Sequence, residues 1–149
     1  MLRAFVGLVL ATSVAVAAPV PKVLKAKAPE WDGWWTTAER VNQGKEVTEP
    51  WVWQISGERL TTYSPSRGDG LRRTHEGATT TFVRPDPTKP DELDYRYSHG
   101  PTELVYRGRV KWDGDEWVFC FAEAGADRPA EVKAGKDVYY LRFKRTSER

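Results

Sequence analysis

The sequence of 149 residues has little of what most catalytic and metal sites are built from, since it contains one cysteine and two histidines. A single cysteine excludes an internal disulfide and a Cys-rich zinc site. His75 and His99 lie in different predicted segments, and neither a G-x-S-x-G nor an HExxH pattern is present. We therefore predict no catalytic residue, no metal site and no cofactor.

A surplus of charge of one sign is also missing. The chain carries 23 Lys and Arg against 21 Asp and Glu, so that its formal net charge is +2. Proteins that bind nucleic acid usually concentrate basic residues far more strongly. We expect no nucleic-acid partner.

Long hydrophobic runs are missing too, and the one apolar stretch lies at the N-terminus. Arg3 precedes a small or apolar stretch from Ala4 to Val16, which ends in Ala15-Val16-Ala17. This order is typical of a secretory signal peptide, and the stretch falls short of the roughly 20 residues that cross a bilayer. We predict that residues 1–17 are a signal peptide cleaved after Ala17, with cleavage after Ala18 and an uncleaved anchor as alternatives. The mature protein would then be exported to the periplasm or the extracellular space without a transmembrane segment.

Residues 18–30 are rich in proline and lysine. Pro19, Pro21 and Pro29 disfavour both helix and strand, which predicts an extended tether. A first edge strand that uses Val23 and Leu24 is the alternative. The third predicted segment, residues 31–149, is a single domain.

Aromatic residues, in contrast, are abundant, with 7 Trp, 6 Tyr and 5 Phe. Beyond Trp31 they fall in short alternating runs separated by Gly, Pro and Asp, as in antiparallel sheets. Leu104 to Trp112 alternates over nine residues, and Asp113-Gly114 predicts a type I′ turn. Ser64–Gly70 and Pro85–Pro90 read as loops. An all-β, antiparallel up-and-down barrel of about eight strands follows, because such a meander must hide its edges.

The first predicted strand begins with Gly33-Trp34-Trp35. This resembles the Gly-x-Trp that opens lipocalins and related calycin barrels. The resemblance implies that Trp35 plugs the closed end of a barrel beside Gly33. It also implies that a basic residue of the last strand covers the ring, for which Arg145 is the candidate and Arg142 the alternative.

Most of the predicted domain resembles an uncharacterised lipocalin-like domain family that is abundant in planctomycete bacteria. The resemblance implies a lipocalin-like fold, but this family has no established activity. Val132 replaces the family's usual aromatic residue, and residues 64–77 match poorly. The matching elements are Gly33-x-Trp35, Gly44-Lys45, Asp86-Pro87-Thr88-Lys89-Pro90, Gly100-Pro101, Gly108, Asp113-Gly114-Asp115, Cys120-Phe121-Ala122, Arg128-Pro129-x-Glu131 and Phe143-Lys144-Arg145.

Most of the aromatic side chains share one alternating face of their strands, which points inward in a small barrel. They either fill the interior or line a cup for one small hydrophobic or aromatic ligand. The hypothetical interior consists of Trp53, Tyr95, Tyr97, Tyr106, Trp112, Trp117, Phe119, Phe121, Tyr139 and Phe143.

The sequence therefore predicts an exported, monomeric and non-enzymatic protein that binds a small ligand. The alternative is a protein-interaction module with a filled barrel, either an envelope scaffold or an inhibitor of a secreted enzyme. Cys120 lies between Phe119 and Phe121 without an adjacent cation. We interpret it as a buried, inert thiol rather than a reactive one.

Overall fold

A computed structural model describes residues 31–65 and 70–147, which form one antiparallel sheet. The predicted signal peptide and tether, residues 1–30, lie outside the described residues. Within the described part there is no helix, and so none that is long and apolar enough to cross a membrane. The strands are β1 (Gly33–Asn42), β2 (Lys45–Glu46), β3 (Val52–Ser56), β4 (Arg59–Pro65), β5 (Leu71–Arg73), β6 (Thr79–Val83), β7 (Glu92–His99), β8 (Thr102–Asp113), β9 (Glu116–Ala122) and β10 (Val138–Arg145).

Eight of the strands close into a barrel in the order β1, β3, β4, β6, β7, β8, β9 and β10, while β2 and β5 are short additions to β1 and β4. Closure comes from the pairing of β10 with β1, which sets Arg145 opposite Trp35 and Tyr139 opposite Asn42. The predicted antiparallel, lipocalin-like barrel of about eight strands is confirmed. We call the end where β1 begins and β10 ends the closed end, and the opposite end the mouth.

Alternation along the strands builds the interior. In β10 the side chains of Leu141 and Phe143 are completely buried, whereas Lys144 is exposed on the outer face. In β8 the inward position between Tyr106 and Val110 is Gly108. A Cβ atom there would lie 2.4 Å from Cε2 of Phe119, so that the phenyl ring occupies the space of the missing side chain.

β9 is buried on both faces. Its outward residues Val118 and Cys120 lie beneath the segment 123–137, and Val118 packs with Val41 and Tyr140 in a second apolar cluster. The Cys120 thiol donates to the carbonyl of Lys133 at 3.4 Å, and burial raises the pKa of the thiol. Cys120 is buried as predicted, but outside the barrel interior.

Ion pairs hold the segment 123–137 against the outer face of β7 and β8. Nε of Arg109 donates to the carbonyl of Pro129 at 2.8 Å. Arg128 lies 2.8 Å from the buried carboxylate of Asp94 and also donates to the carbonyl of Gly108. This long connection is therefore fastened to the barrel at Arg128 and Pro129.

Two local predictions differ from the structure. The turn between β8 and β9 is centred on Gly114–Asp115 rather than Asp113-Gly114, because Asp113 still pairs with Glu116. Of these turn residues only Gly114 has a positive φ, of 66°, whereas a type I′ turn needs two such residues.

The other difference concerns the predicted loop Ser64–Gly70. Ser64 and Pro65 belong to β4 and pair with β5, while residues 66–69 lie outside the described residues. Because the C-terminal part of β4 pairs with β5, β4 pairs with β6 only at Arg59 and Leu60. The two barrel strands therefore separate towards the mouth.

Candidate ligand site

The barrel sorts the predicted interior rings into three levels along its axis. The level decides what each ring contacts, although the alternation pattern treats all of them alike. Trp112 and Trp117 lie at the closed end; Trp53, Phe119, Phe121 and Phe143 in the middle; and Tyr95, Tyr97, Tyr106 and Tyr139 towards the mouth.

Rings fill the middle level. The ring centroid of Trp53 on β3 lies 4.3 Å from that of Phe143 on β10, and Phe82 on β6 lies 5.5 Å from Phe119 on β9. The first contact reaches past β1 and the second past β7 and β8, so that rings from non-adjacent strands meet inside the barrel. The indole nitrogen of Trp53 is buried without a hydrogen-bond partner, because its neighbours here are apolar rings, and so is that of Trp117 at the closed end. At this level the filled-interior interpretation applies.

At the closed end, Trp31, Trp35, Trp112 and Trp117 form a group that we call the tryptophan cluster. Trp31 meets Trp112 and Trp117 edge to face at centroid distances of 5.0 and 5.1 Å. Trp35 meets Trp117 at 5.8 Å with an interplanar angle of 89°. Edge-to-face contacts set the positive edge of one ring against the negative face of another. The cluster closes this end of the barrel.

The structure brings Gly33, Trp35 and Arg145 together at that end. The guanidinium of Arg145 lies 4.5 Å from the ring centroid of Trp35, and its Nη1 donates to the carbonyl of Asp32 at 3.1 Å. A Cβ atom on Gly33 would lie 2.8 Å from the same Nη1. Arg142 instead faces outward, where its Nη1 lies 3.2 Å from Asp113.

The mouth has a different character. Tyr97 and Tyr106 face inward but stay partly exposed, whereas Trp117, Phe119 and Phe143 are 0% exposed. In the described part of the chain, neither the Tyr97 nor the Tyr106 hydroxyl makes a hydrogen bond to the protein. Tyr106 packs on the rings of the core, whereas Tyr97 meets the His75 ring edge to face at 5.2 Å, and both phenols keep their polar tips unpaired.

Hydrogen bonds hold the mouth in shape. The Tyr139 hydroxyl and the Gln43 amide both donate to Oε1 of Glu123, at 2.5 and 2.7 Å. The bond to Glu123 raises the pKa of Tyr139 to about 12, because the carboxylate accepts the proton of the neutral phenol. Burial raises the pKa of Tyr95 to about 12 as well. Both phenols therefore stay neutral to a higher pH than an ordinary tyrosine.

The predicted set of residues omits parts of the mouth. Trp51 stacks on Trp53 at 6.4 Å, and the Arg40 guanidinium lies 3.7 Å from the Trp51 ring centroid. The alternation of Trp51 with Trp53 and Ile55 is the signal that points to Trp51. Nothing in the sequence links Gln43 to Glu123, because 80 positions separate them.

Comparison with known proteins returns no significant match to a family model, a curated protein or a solved structure. The architecture is therefore established by strand pairing within the chain, and the resemblance to the planctomycete lipocalin-like family stays a prediction. Within the described ranges no group of three or more His, Cys, Asp or Glu residues is placed to hold a metal ion.

Proposed function

We propose that the protein is an exported, non-enzymatic binding protein that holds one small hydrophobic or aromatic molecule in the mouth of its barrel. The observation that carries this proposal is the pair Tyr97 and Tyr106, whose partly exposed rings keep unpaired hydroxyls at the mouth, with Tyr106 packed on the filled middle. Ligand sites typically combine apolar and aromatic walls with a few polar groups that orient the molecule.

The shape of the interior limits the ligand. Because rings from non-adjacent strands meet in the middle of the barrel, the ligand lies shallowly and stacks on phenol rings. Tyr106 packs on Tyr95 and Phe121 at 5.3 and 5.8 Å, so that its ring is supported from below. A flat, largely neutral molecule that accepts one or two hydrogen bonds suits such a surface.

The test uses the neutral aromatic dye N-phenyl-1-naphthylamine, whose fluorescence rises on leaving water. We expect saturable binding to the purified protein and an affinity about tenfold lower in Tyr106→Ala, which removes a stacking ring worth about 1.4 kcal/mol or more. Tyr63→Ala is the matched control, because Tyr63 lies on the outer face of β4 against Trp34. Circular dichroism shows whether each variant keeps its fold.

Equal affinity in Tyr106→Ala and the parent, or no saturable binding at all, would contradict the mouth site. The second outcome favours the alternative function, a protein-interaction module. That alternative has its own support, because the middle of the barrel is filled and Arg109 and Arg128 hold the segment 123–137 as a fixed surface.

A further inference from the structure

A cavity of about 320 Å³ opens at the closed end, on the opposite side of the filled middle from the mouth. Ile55, Phe82 and Leu93 form its floor, Trp31 its wall, and Glu58 and Arg84 lie among its lining residues. We propose that this cavity binds a small zwitterion with one apolar group, that is, an α-amino acid with an aromatic side chain. Glu58 receives the ammonium group and Arg84 the carboxylate.

The apolar part of the cavity suits a single small side chain. The floor residues Ile55, Phe82 and Leu93 are 2%, 6% and 3% exposed, so that their positions are set by the core. The volume lies at the lower end of the range of about 300–1,000 Å³ that is usual for ligand pockets. A benzene or indole ring against the wall of Trp31 adds aromatic contact to apolar burial.

The walls are already in place without a ligand. The Trp35 indole donates to the carbonyl of Trp31 at 2.8 Å, and Trp31 is further held by its edge-to-face contacts in the tryptophan cluster. On the other side, the amide of Gly57 donates to Asp32 at 2.9 Å and that of Phe82 to the carbonyl of Glu58 at 2.8 Å. A preformed site spends little binding energy on ordering itself.

The two charged residues identify the ligand class. Glu58 and Arg84 are both exposed, and in the described part of the chain neither forms an ion pair, with the other or with a third residue. The Arg84 guanidinium lies 5.5 Å from the ring centroid of Trp31. A molecule whose ring enters the cavity therefore meets one unpaired cation and one unpaired anion, and a zwitterion complements both.

The experiment titrates the full chain by calorimetry with three probes that share a benzene ring. L-Phenylalanine carries both charges, 3-phenylpropionate only the carboxylate and phenethylamine only the ammonium group. We expect L-phenylalanine to bind about tenfold more tightly than either singly charged probe, because each exposed charged contact adds somewhat more than about 1 kcal/mol.

Charge-removing variants assign the two contacts. Arg84→Gln should weaken L-phenylalanine and 3-phenylpropionate about tenfold and leave phenethylamine unchanged, while Glu58→Gln should weaken L-phenylalanine and phenethylamine alone. Arg107→Gln and Glu46→Gln, which remove exposed charges away from this cavity, are matched controls and should change nothing.

The outcome is independent of the proposed mouth site. Tyr106→Ala should leave L-phenylalanine binding unchanged, and Arg84→Gln should leave dye binding unchanged. Loss of L-phenylalanine binding in Tyr106→Ala but not in Arg84→Gln would place the amino acid in the mouth and overturn this proposal. So would an affinity that is the same for all three probes, or no binding of any of them.

Discussion

The closed end and the mouth of the barrel both present aromatic side chains to the interior, in opposite surroundings. At the closed end Trp35 and Trp117 are 0% exposed and contact other indoles edge to face. At the mouth Tyr97 and Tyr106 are partly exposed and their hydroxyls have no partner in the described part of the chain. The difference shows that one alternating pattern of aromatic residues can supply both a buried structural plug and a partly exposed surface with unpaired polar groups.

The residue types match the two roles. An indole buries the larger apolar area, while a phenol combines an apolar ring with a polar tip that tolerates water. Ring packing at the closed end and in the middle therefore stabilises the fold, whereas the phenols of the mouth form the surface that we propose for a ligand. Ring truncations at the two ends should accordingly separate the stability of the barrel from dye binding at the mouth.

The largest expected effect comes from truncating a ring at each end. Trp117→Ala should lower the free energy of unfolding by about 3–5 kcal/mol, because it leaves a cavity among fully buried rings. Tyr106→Ala should cost about 1 kcal/mol, because its ring is partly exposed already. Urea denaturation measures both, and similar losses would show that the mouth is as structural as the closed end.

A smaller effect is expected at alkaline pH, where the phenols titrate. A raised pKa means that the folded state favours the neutral phenol, so this stability is complete below about pH 10 and is lost as the pH rises through about 12. Tyr95→Phe should flatten this alkaline loss, because burial raises the pKa of Tyr95 to about 12.

Glu123→Gln distinguishes the two causes of these raised pKa values. It should move the titration of Tyr139 back towards its ordinary range, because the bond to the Glu123 carboxylate is the main cause there. Tyr95 should keep its raised pKa in this variant. Phenolate absorbance during an alkaline titration follows both groups, and an unchanged Tyr139 would contradict the role of Glu123.

The smallest effect concerns the arginine over a tryptophan ring at each end. Arg145→Gln should lower the free energy of unfolding by about 1 kcal/mol, since Trp35 is fully buried beneath the guanidinium. Arg40→Gln should cost about 0.5 kcal/mol, because Trp51 is partly exposed. Thermal unfolding compares the two variants. A larger loss of stability in Arg40→Gln would show that the arginine at the mouth stabilises the fold more than the arginine at the closed end.

Much of the fold was predictable because alternation is a local property. The run from Leu104 to Trp112 and the return strand beside it lie within β8 and β9 as expected. The turn between them was misplaced by one residue, since only the pairing of Asp113 with Glu116 defines its ends. Burial of Cys120 was predictable as well, but not its covering by the segment 123–137, which depends on Arg128 reaching Asp94.

The sequence by itself determined the fold class and which side chains face inward, because the side-chain period of a strand is two and closure hides the edges. Only the tertiary structure decided how deep each ring lies. Depth depends on the register between neighbouring strands and on their tilt in the barrel, neither of which is visible in one strand. The same closure set Arg145 over Trp35 and left Tyr97 and Tyr106 at the mouth.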